Sequence, residues 1–340
     1  MRLLVCGGAG FIGSTFARLR VQEQGDEVTV LDKLTYAGRE ENFHDFAEDP
    51  RFRFVRGGIE DPQAVAAAIE AGSPEAIVNF AAETHVDRSI AEPDAFVTTH
   101  ALGTYVLLEA ARTLRGTGEH DLRYLQVSTD EVYGSIEVGT FTEESPLRPS
   151  SPYSATKTGA DLLVQSYFHT YGLPTVICRG SNNYGPYQYP EKLIPLMILN
   201  ALHGDPLPVY GDGMQVRNWI HCTDFARAIG HVLEHGAPGE VYNAGGPDEE
   251  ANITVVRRIV ELTGAQESQI EQVADRPGHD RRYSLSSEKV RALGWSPRVR
   301  FEDGLQQTVA WYRDNAWWWE PIRSGEYRAY YERQYGRSLG

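Results

Sequence analysis

A glycine-rich turn near the N-terminus constrains the fold of this chain more than any other feature. Arg2 to Cys6 predicts a short buried strand, which runs directly into Gly7-Gly8-Ala9-Gly10-Phe11-Ile12-Gly13 and a helical stretch. Glycines at this turn let the backbone approach a pyrophosphate, whose charge is stabilised by unpaired N–H groups at the helix N-terminus. The order strand, glycine turn, helix is typical of a dinucleotide-binding α/β fold.

The second predicted strand ends in an acidic residue. Glu27 to Leu31 is followed by Asp32, at about the spacing of twenty residues that dinucleotide-binding folds use. An acidic side chain there accepts hydrogen bonds from the adenosine ribose and repels a 2′-phosphate. The sequence therefore favours NAD over NADP, the alternative being a solvated Asp beside an ordinary glycine-rich turn.

Strands and helices continue to alternate along the first half. Strands are predicted at Phe52 to Val55 and Ala76 to Phe80, with a helix from Pro62 between them. Such alternation indicates crossover helices, so we expect a Rossmann-type doubly wound parallel sheet in an α/β fold. His85 follows the second of these strands without a His, Cys or carboxylate at ligand spacing. We expect a structural or substrate-facing role for it, and no metal site.

The stretch from Tyr124 to Lys157 carries the strongest chemical signal. An apolar strand ends in Ser128-Thr129-Asp130-Glu131, and a helix begins later, near Ser151-Pro152-Tyr153. Tyr153 and Lys157 are four residues apart and share one helix face. A phenol with an ordinary pKa of about 10 needs a nearby cation to lose its proton near neutral pH. Lys157 is placed to supply that charge, so the pair is predicted to be catalytic.

Charge and cysteine usage exclude several classes of protein. The formal net charge of −15 argues against a nucleic-acid or anionic-membrane partner, since either requires a basic surface. The three cysteines, Cys6, Cys178 and Cys222, are far apart and predict neither a disulfide framework nor a metal motif. No apolar run has the length of a membrane span or a signal segment. A cytoplasmic location is expected.

Composition changes near residue 180, after which glycine, proline and aromatic residues become frequent. We therefore predict two domains: 1–180, an NAD-binding Rossmann domain that includes the catalytic set, and 181–340, a smaller α/β portion that mainly binds substrate. The segments 208–213 and 217–221 supply aromatic rings and Arg217, which could stack a base and clamp a diphosphate. We also expect a long helix from Pro93 to about Arg115 and an amphipathic C-terminal helix from Arg298 to Trp319.

Together these motifs resemble the extended short-chain dehydrogenase/reductases and, within them, the nucleotide-sugar 4,6-dehydratases. The resemblance extends from Leu3 to about Trp319. It is most specific at 81–90 (AAETHVDRSI), 128–134 (STDEVYG), 181–198 (SNNYGPYQYPEKLIPLMI) and 275–283 (DRPGHDRRY). The adjacent acids Asp130 and Glu131 separate the dehydratases from the epimerases and decarboxylases of the superfamily.

The resemblance implies a reaction in which NAD is consumed and regenerated. Tyr153 takes the proton of the sugar 4-hydroxyl while C4 gives a hydride to NAD, Thr129 hydrogen-bonds that oxygen, and Lys157 holds the phenolate and the nicotinamide ribose. Glu131 then removes the C5 proton and Asp130 protonates the departing 6-hydroxyl. The hydride returns to C6. dTDP-glucose is the favoured substrate.

The resemblance also implies two sets of binding residues. Those expected around NAD are Gly7, Gly10, Phe11, Ile12, Gly13, Asp32, Lys33, Leu34, Thr35, Gly58, Ile59, Ala81, Ala82, Thr99, Tyr153, Lys157 and Asn183. Those expected around the nucleotide sugar are Thr84, His85, Thr129, Asn182, Lys192, Leu193, Pro208, Tyr210, Arg217, Asn243, Arg276 and His279.

Three residues depart from the family pattern. Gly58 stands where an Asp usually contacts the adenine amino group, His100 replaces a usual Asn, and Asn218 replaces a usual Asp. The resemblance implies a homodimer formed through the helices that begin near Pro93 and Pro152. Three alternatives remain open: a dehydratase for another nucleotide hexose, a C4 epimerase, and a nucleotide-sugar or NAD sensor without turnover.

Overall fold

The computed structural model describes residues 1–116, 122–275, 278–325 and 331–332. The strands, in chain order, are β1 (Arg2–Cys6), β2 (Glu27–Asp32), β3 (Phe52–Arg56), β4 (Ala76–Asn79), β5 (Arg123–Thr129), β6 (Thr175–Gly180), β7 (Asn182–Tyr184), β8 (Leu207–Tyr210), β9 (Val216–His221), β10 (Val241–Ala244), β11 (Asp248–Ala251) and β12 (Ile270–Val273). The α-helices are α1 (Phe11–Gln22), α2 (Pro62–Gly72), α3 (Val86–Ala91), α4 (Asp94–Val97), α5 (Thr104–Gly116), α6 (Pro152–Tyr171), α7 (Leu193–His203), α8 (Cys222–His235), α9 (Asn252–Thr263), α10 (Glu288–Ala292), α11 (Phe301–Asp314) and α12 (Ala316–Ser324).

The main sheet has seven strands in the order β3-β2-β1-β4-β5-β6-β10. Every pairing in it is parallel. The strand order reverses at β1, which lies between β2 and β4. Ligands of such sheets bind beyond the carboxyl ends of the strands at this reversal. The predicted doubly wound parallel sheet is confirmed.

Both faces of the sheet are buried, which explains why its strands are apolar throughout rather than alternating. On one face Leu3 and Val5 pack with residues of α1 and α8, including Phe16 and Phe225. On the other face Leu4 packs with residues of α2, α5 and α6. The glycine turn therefore follows a strand, β1, that is packed against helices on both of its faces.

The second half builds a smaller α/β portion, as predicted. Strands β7, β9 and β11 form one sheet, and β8 pairs with β12 in another. Helices α7, α9, α11 and α12 bury a separate apolar core that includes Leu196, Ile259 and Trp318. The chain also returns to the main sheet after residue 180, since β10 pairs with β6 and α8 packs against α1. The domain division at residue 180 stays a prediction.

Two predicted helices are interrupted. The expected helix from Pro93 to Arg115 consists of α4, a π-helical segment (Thr98–Gly103) and α5. A Cβ on Gly103 would lie 2.5 Å from the Ile59 side chain, so the segment packs too closely for a larger residue there. The expected C-terminal helix is divided at Asn315 into α11 and α12.

A buried ion pair joins α6 to β6 beneath the carboxyl ends of the strands. Arg179 Nε donates to Asp161 Oδ2 at 2.9 Å, and both side chains are almost fully buried. Arg179 also donates to the Tyr133 hydroxyl at 2.7 Å, and the Ser128 hydroxyl donates to Asp161 at 3.0 Å. A buried pair with this many hydrogen bonds is costly to break from one side.

We expect Arg179→Met to lower the free energy of unfolding by about 3–5 kcal/mol, because it leaves the Asp161 carboxylate buried without its cation. Urea unfolding followed by circular dichroism measures this. The matched control, Arg257→Met, breaks the exposed pair with Glu267 and should cost less than about 1 kcal/mol. Equal losses in the two variants would contradict the assignment of a structural role to the buried pair.

Candidate active site

A cleft with a volume of about 270 Å³ opens beyond the carboxyl ends of the main-sheet strands. It begins at the glycine turn and extends past Asp32 on one side and Tyr153 on the other. Of the residues predicted to surround NAD, those that line it are Gly7, Gly10, Phe11, Ile12, Gly13, Asp32, Lys33, Thr35, Gly58, Ile59, Ala81, Ala82, Thr99, Tyr153, Lys157 and Asn183. Leu34 does not line the cleft.

The glycine turn brings the backbone as close to the cleft as the sequence predicts. Gly7 has φ +74°, and a Cβ there would lie 2.4 Å from the Ala81 nitrogen. A Cβ on Gly13 would lie 2.3 Å from the Gly7 carbonyl oxygen. Helix α1 starts immediately after Gly10, and its first N–H groups have no intrahelical partners. Turn and helix terminus together suit a pyrophosphate.

The Asp32 carboxylate is fixed at the end of β2 by two backbone N–H groups. Ala9 donates to Oδ2 at 2.9 Å and Leu34 donates to Oδ1 at 2.8 Å. Leu34 thus acts through its backbone amide rather than through its side chain. Each carboxylate oxygen retains a further lone pair with which to accept a ribose hydroxyl. The site fits the adenosine half of NAD.

The space at Gly58 is already filled. A Cβ there would lie 2.5 Å from both carboxylate oxygens of Glu60, which also lines the cleft. Lys33 lies beside this carboxylate, with Nζ 3.4 Å from Glu60 Oε1. An Asp at position 58 would therefore require the Glu60 side chain to move. The carboxylate of Glu60 thus occupies the space beside Gly58 in which the family has the carboxylate of an Asp. Sequence reasoning did not identify this role of Glu60.

Asn218 departs from the family pattern for a local reason. Its Nδ2 donates to the carbonyls of Gly246 and Asp248, at 3.0 and 3.2 Å, and its Oδ1 accepts from the Gly246 N–H at 2.8 Å. A carboxylate could accept from that N–H but could not donate to the two carbonyls. The amide is the group that this turn requires.

The predicted catalytic residues meet at the end of β5. Thr129 donates to Asp130 Oδ1 at 3.2 Å and accepts from the Glu131 N–H at 3.2 Å. The Thr129 side chain lies close enough to the Tyr153 hydroxyl to lower its pKa, against the larger effect of burial. Helix α6 presents Tyr153 because it begins at Pro152, with the Ser151 side chain capping its first turn. All five predicted catalytic residues line the cleft: Thr129, Asp130, Glu131, Tyr153 and Lys157.

Asp130 is suited to hold a proton near neutral pH. Burial is the main cause that raises its pKa, from 3.8 to about 8, and the nearby Glu131 carboxylate adds to the effect. Arg217 acts in the opposite direction. Oδ2 of Asp130 is buried and has no hydrogen-bond partner in the described part of the chain. A neutral carboxyl group at this position can donate a proton.

Tyr153 and Lys157 share one face of α6, as predicted, but the phenol remains hard to ionise. Burial and then the charge of Glu131 raise the pKa of Tyr153. Lys157 donates to the Val127 carbonyl at 2.7 Å, and burial lowers its pKa to about 8, partly offset by Asp161. The neighbouring cation is present, yet in this structure it does not lower the Tyr153 pKa in the way the spacing suggested.

The residues predicted to hold the nucleotide sugar divide into two groups. Thr84, Thr129, Asn182 and Lys192 line the cleft, and Lys192 Nζ donates to the Thr84 carbonyl at 2.5 Å. Outside the cleft lining are His85, Leu193, Pro208, Tyr210, Arg217, Asn243 and His279. Arg276 lies outside the described residues.

Several of this second group still face the catalytic end. The Arg217 guanidinium lies 4.3 Å from the ring centre of Tyr283 and is near enough to Asp130 to influence its pKa. The rings of Tyr210 and His279 meet edge to face, 6.0 Å apart. Asn243 differs, since it is fully buried and its Oδ1 accepts from the Tyr133 hydroxyl at 2.9 Å.

Sequence reasoning missed a cluster that closes one side of the cleft. The Tyr36 hydroxyl donates to Glu191 at 2.8 Å, and the Arg88 guanidinium lies 3.8 Å from the ring centre of Tyr36. Arg88 Nε is also 3.4 Å from Glu191 Oε2. Tyr36 and Glu191 come from separate loops and Arg88 from α3, so only their convergence identifies them. Arg88 and Glu191 do lie within stretches that the family resemblance marked.

Within the described ranges, no group of three or more His, Cys, Asp or Glu side chains is arranged to hold a metal ion. None of the helices in those ranges is long and apolar enough to cross a membrane.

Comparison with known proteins agrees with this geometry. A family profile described as GDP-mannose 4,6 dehydratase matches residues 4–308. The dTDP-glucose 4,6-dehydratase of Streptomyces niveus is 52% identical over 95% of this chain and 96% of its own. dTDP-glucose 4,6-dehydratase 1 of Escherichia coli is 46% identical over 98% and 99%. The structure of DesIV, a dTDP-glucose 4,6-dehydratase of Streptomyces venezuelae with NAD bound, has a TM-score of 0.91 at 51% identity and covers 95% of this chain and 100% of that one.

The chain has the fold of an extended short-chain dehydrogenase/reductase, as the order of the sheet, the glycine turn and the set Thr129, Tyr153 and Lys157 indicate. Within that class, the chain belongs to the family described as GDP-mannose 4,6 dehydratase, whose profile spans most of its length.

The raised pKa of Asp130 makes stability depend on pH. A carboxyl group whose pKa is higher in the folded state contributes stability that is complete below its unfolded pKa and is lost as pH rises through the folded value. We therefore expect the stability of Asp130→Asn relative to wild type to increase between about pH 4 and pH 8, by on the order of a few kcal/mol. Urea unfolding across this range measures it.

Asp212→Asn is the matched control for this experiment. Asp212 is exposed, and its hydrogen bonds with Arg281 lower its pKa. Its replacement should therefore show the opposite sign in a lower window: stability relative to wild type decreases as pH rises to about 4 and is nearly constant from there to pH 8. A flat difference for Asp130→Asn from pH 4 to pH 8 would contradict the buried, protonated state.

Proposed function

We propose that the protein is an NAD-dependent dTDP-glucose 4,6-dehydratase, which converts dTDP-glucose into dTDP-4-keto-6-deoxyglucose and water. The observation that carries the proposal is the buried Asp130 carboxyl group, which has a pKa of about 8, lies next to Glu131 and accepts a hydrogen bond from Thr129, the neighbour of Tyr153. A dehydratase needs an acid and a base beside a redox centre. The dTDP-glucose 4,6-dehydratases of Escherichia coli and Streptomyces niveus match nearly the whole chain.

The first half of the reaction uses Tyr153, Thr129 and Lys157. NAD, when bound, accepts a hydride from C4 of the hexose and later returns it to C6. Tyr153 in its phenolate form accepts the proton of the 4-hydroxyl, and the Thr129 hydroxyl holds the same oxygen. Lys157 lies one helical turn from Tyr153, and its proposed role is to stabilise the phenolate during the reaction, because in this structure burial keeps the pKa of the phenol high.

The second half uses the two adjacent carboxyl groups. Once C4 is a ketone, the C5 proton is acidic, and Glu131 removes it as the general base. Asp130 gives its proton to the departing 6-hydroxyl, which leaves as water. Their roles differ because their environments differ: Asp130 is 2% exposed and keeps its proton. The negative charge of Glu131 contributes to that retention.

Binding residues are proposed by position. The glycine turn, Asp32 with the Leu34 amide, and the Gly58, Ile59, Ala81, Ala82 and Thr99 segments hold NAD. Lys192, Arg217 and the Tyr210 and His279 rings hold the nucleotide diphosphate, which explains how a chain of net charge −15 binds an anion. Local cations supply what the overall charge does not. A cytoplasmic location fits the three free, buried cysteines.

Incubation with dTDP-glucose and NAD should yield a product lighter by one water, with an alkali-induced ultraviolet absorbance and no net NADH. We expect Tyr153→Phe to lower turnover by at least about 100-fold, because it removes the proton acceptor. Its dissociation constant for dTDP-glucose should change little. Tyr171→Phe, at the exposed end of the same helix, is the control and should retain wild-type turnover.

A panel of nucleotide-activated hexoses, analysed by mass spectrometry, separates the alternatives. Conversion without loss of water indicates an epimerase, and dehydration of a different nucleotide hexose changes the substrate but not the reaction. Binding of both ligands with no product from any hexose rejects the enzyme.

The apolar surface of two neighbouring helical segments supports a homodimer. Val97, Leu102, Tyr105 and Leu162 are each about half exposed, with values between 47% and 53%. They lie on α4, the π-helical segment, α5 and α6, the elements that begin near Pro93 and Pro152. A contiguous apolar patch of this kind is typical of an interface. A second copy of the chain is the proposed occupant.

We expect Leu162→Arg to convert the dimer to a monomer at micromolar concentration, because two like charges would face each other across a twofold interface. Sedimentation equilibrium measures the mass. Val138→Arg, in an exposed loop elsewhere on the surface, should leave the assembly unchanged. A wild-type protein that is already monomeric would refute the dimer, although not the enzyme.

A further inference from the structure

His100 connects two walls of the cleft, although nothing in the reaction described above employs it. The side chain is 1% exposed and belongs to the π-helical segment. Its Nε2 accepts from the Glu83 backbone N–H at 3.1 Å, and its Nδ1 lies 2.8 Å from Thr156 Oγ1. A backbone N–H can only donate, so Nε2 carries no hydrogen and Nδ1 must donate to Thr156. The ring is neutral, in agreement with the lowering of its pKa by burial.

The two partners of His100 belong to opposite sides of the site. Glu83 is flanked by Ala82 and Thr84, and all three residues line the cleft after β4. Thr156 lies in the early part of α6, immediately before Lys157, and its hydroxyl is within 2.9 Å of the Pro152 and Tyr153 carbonyls. The imidazole therefore links the segment after β4 to the backbone that carries Tyr153.

The ring also contacts Tyr153 directly. The two rings meet edge to face with their centres 5.9 Å apart, and Phe96 packs against both of them. A π-helical turn is wider than an α-helical turn and is often found at functional sites. In this chain the widened turn holds a rigid imidazole ring, and both of its nitrogens are hydrogen-bonded. An Asn amide in its place could donate to Thr156 from roughly the position of Nδ1, but it would not reach the Glu83 N–H and would lack the ring packing.

We propose that His100 is a positioning residue, which sets the distance between the 82–84 segment and the Tyr153 hydroxyl and so aligns that hydroxyl with the sugar 4-hydroxyl. The proposal rests on the proposed function for the identity of the step. Misplacement of a reacting group by about 1 Å can cost about 100-fold in rate. His100 itself touches no reacting atom.

The test compares His100→Ala, His100→Phe and His100→Asn with dTDP-glucose and with its C4-deuterated form. We expect His100→Ala to lower kcat by about 10- to 100-fold with KM changed by less than about 3-fold. The deuterium isotope effect on kcat should increase, because the C4 oxidation that uses Tyr153 becomes slower than the later steps. His100→Asn should restore part of kcat, since its amide nitrogen can occupy roughly the place of Nδ1 and donate to Thr156, and His100→Phe should not.

Two further variants make the result specific. Thr156→Val removes the acceptor of the Nδ1 hydrogen and should reproduce part of the loss, while the double variant His100→Ala/Thr156→Val should be no slower than His100→Ala alone. His235→Ala, on the exposed end of α8, is the control and should behave as wild type.

The affinity for NAD gives a readout that does not depend on sugar chemistry. Because the 82–84 segment lines the cofactor cleft, His100→Ala should weaken NAD binding, and His100→Gln, whose longer side chain can accept from the Glu83 N–H, should recover part of it. If wild type fails to dehydrate any hexose, the proposed function fails, and this pattern of NAD affinities still tests the link. Wild-type kcat, isotope effect and NAD affinity in His100→Ala would overturn the proposal, even if its melting temperature falls. Equal kcat defects in His100→Asn and His100→Ala would also overturn it.

Discussion

The exclusion of water from one carboxyl group is the constraint on which this site depends. Asp130 sits where β5 ends in a tight turn, and burial is the largest cause of its raised pKa. Exposed to solvent, an Asp ionises near pH 4 and has no proton to give at neutral pH. The sheet, the capped start of α6 and the proximity of Glu131 all keep this group neutral.

A second buried acid, Asp161, has the opposite environment, since polar and charged partners surround its carboxylate. It is as deeply buried as Asp130, yet it lies 2.9 Å from the Arg179 guanidinium and accepts from Ser128. Asp161 is therefore paired with a cation and stabilises the fold. Asp130 has no cation within hydrogen-bond distance among the described residues, and its proposed role is in the reaction. The charge of Asp161 nevertheless reaches the site, because it partly offsets the lowering of the Lys157 pKa by burial.

Local signals allowed the glycine turn, Asp32 and the spacing of Tyr153 and Lys157 to be interpreted from sequence, because each depends on neighbours in the chain. Strand β10 was missed since four residues carry little pattern and its pairing partner, β6, is distant in sequence. The π-helical turn around His100 has the composition of an ordinary helix, so no periodicity reveals it. Glu60 was missed because its role depends on the absence of a side chain at Gly58. The roles of the site residues remain predictions.

The cluster formed by Tyr36, Glu191 and Arg88 joins two loops and helix α3 at one side of the cleft. Opening that side would separate a buried carboxylate from both its cation and its phenol donor, so exchange of a bound dinucleotide should be slow. Slow cofactor exchange would limit the turnover rate of an ordinary dehydrogenase, since it must release reduced cofactor after every cycle. A catalyst that restores its own oxidant has no such need, and a single molecule of NAD can serve many successive substrates without meeting the solvent.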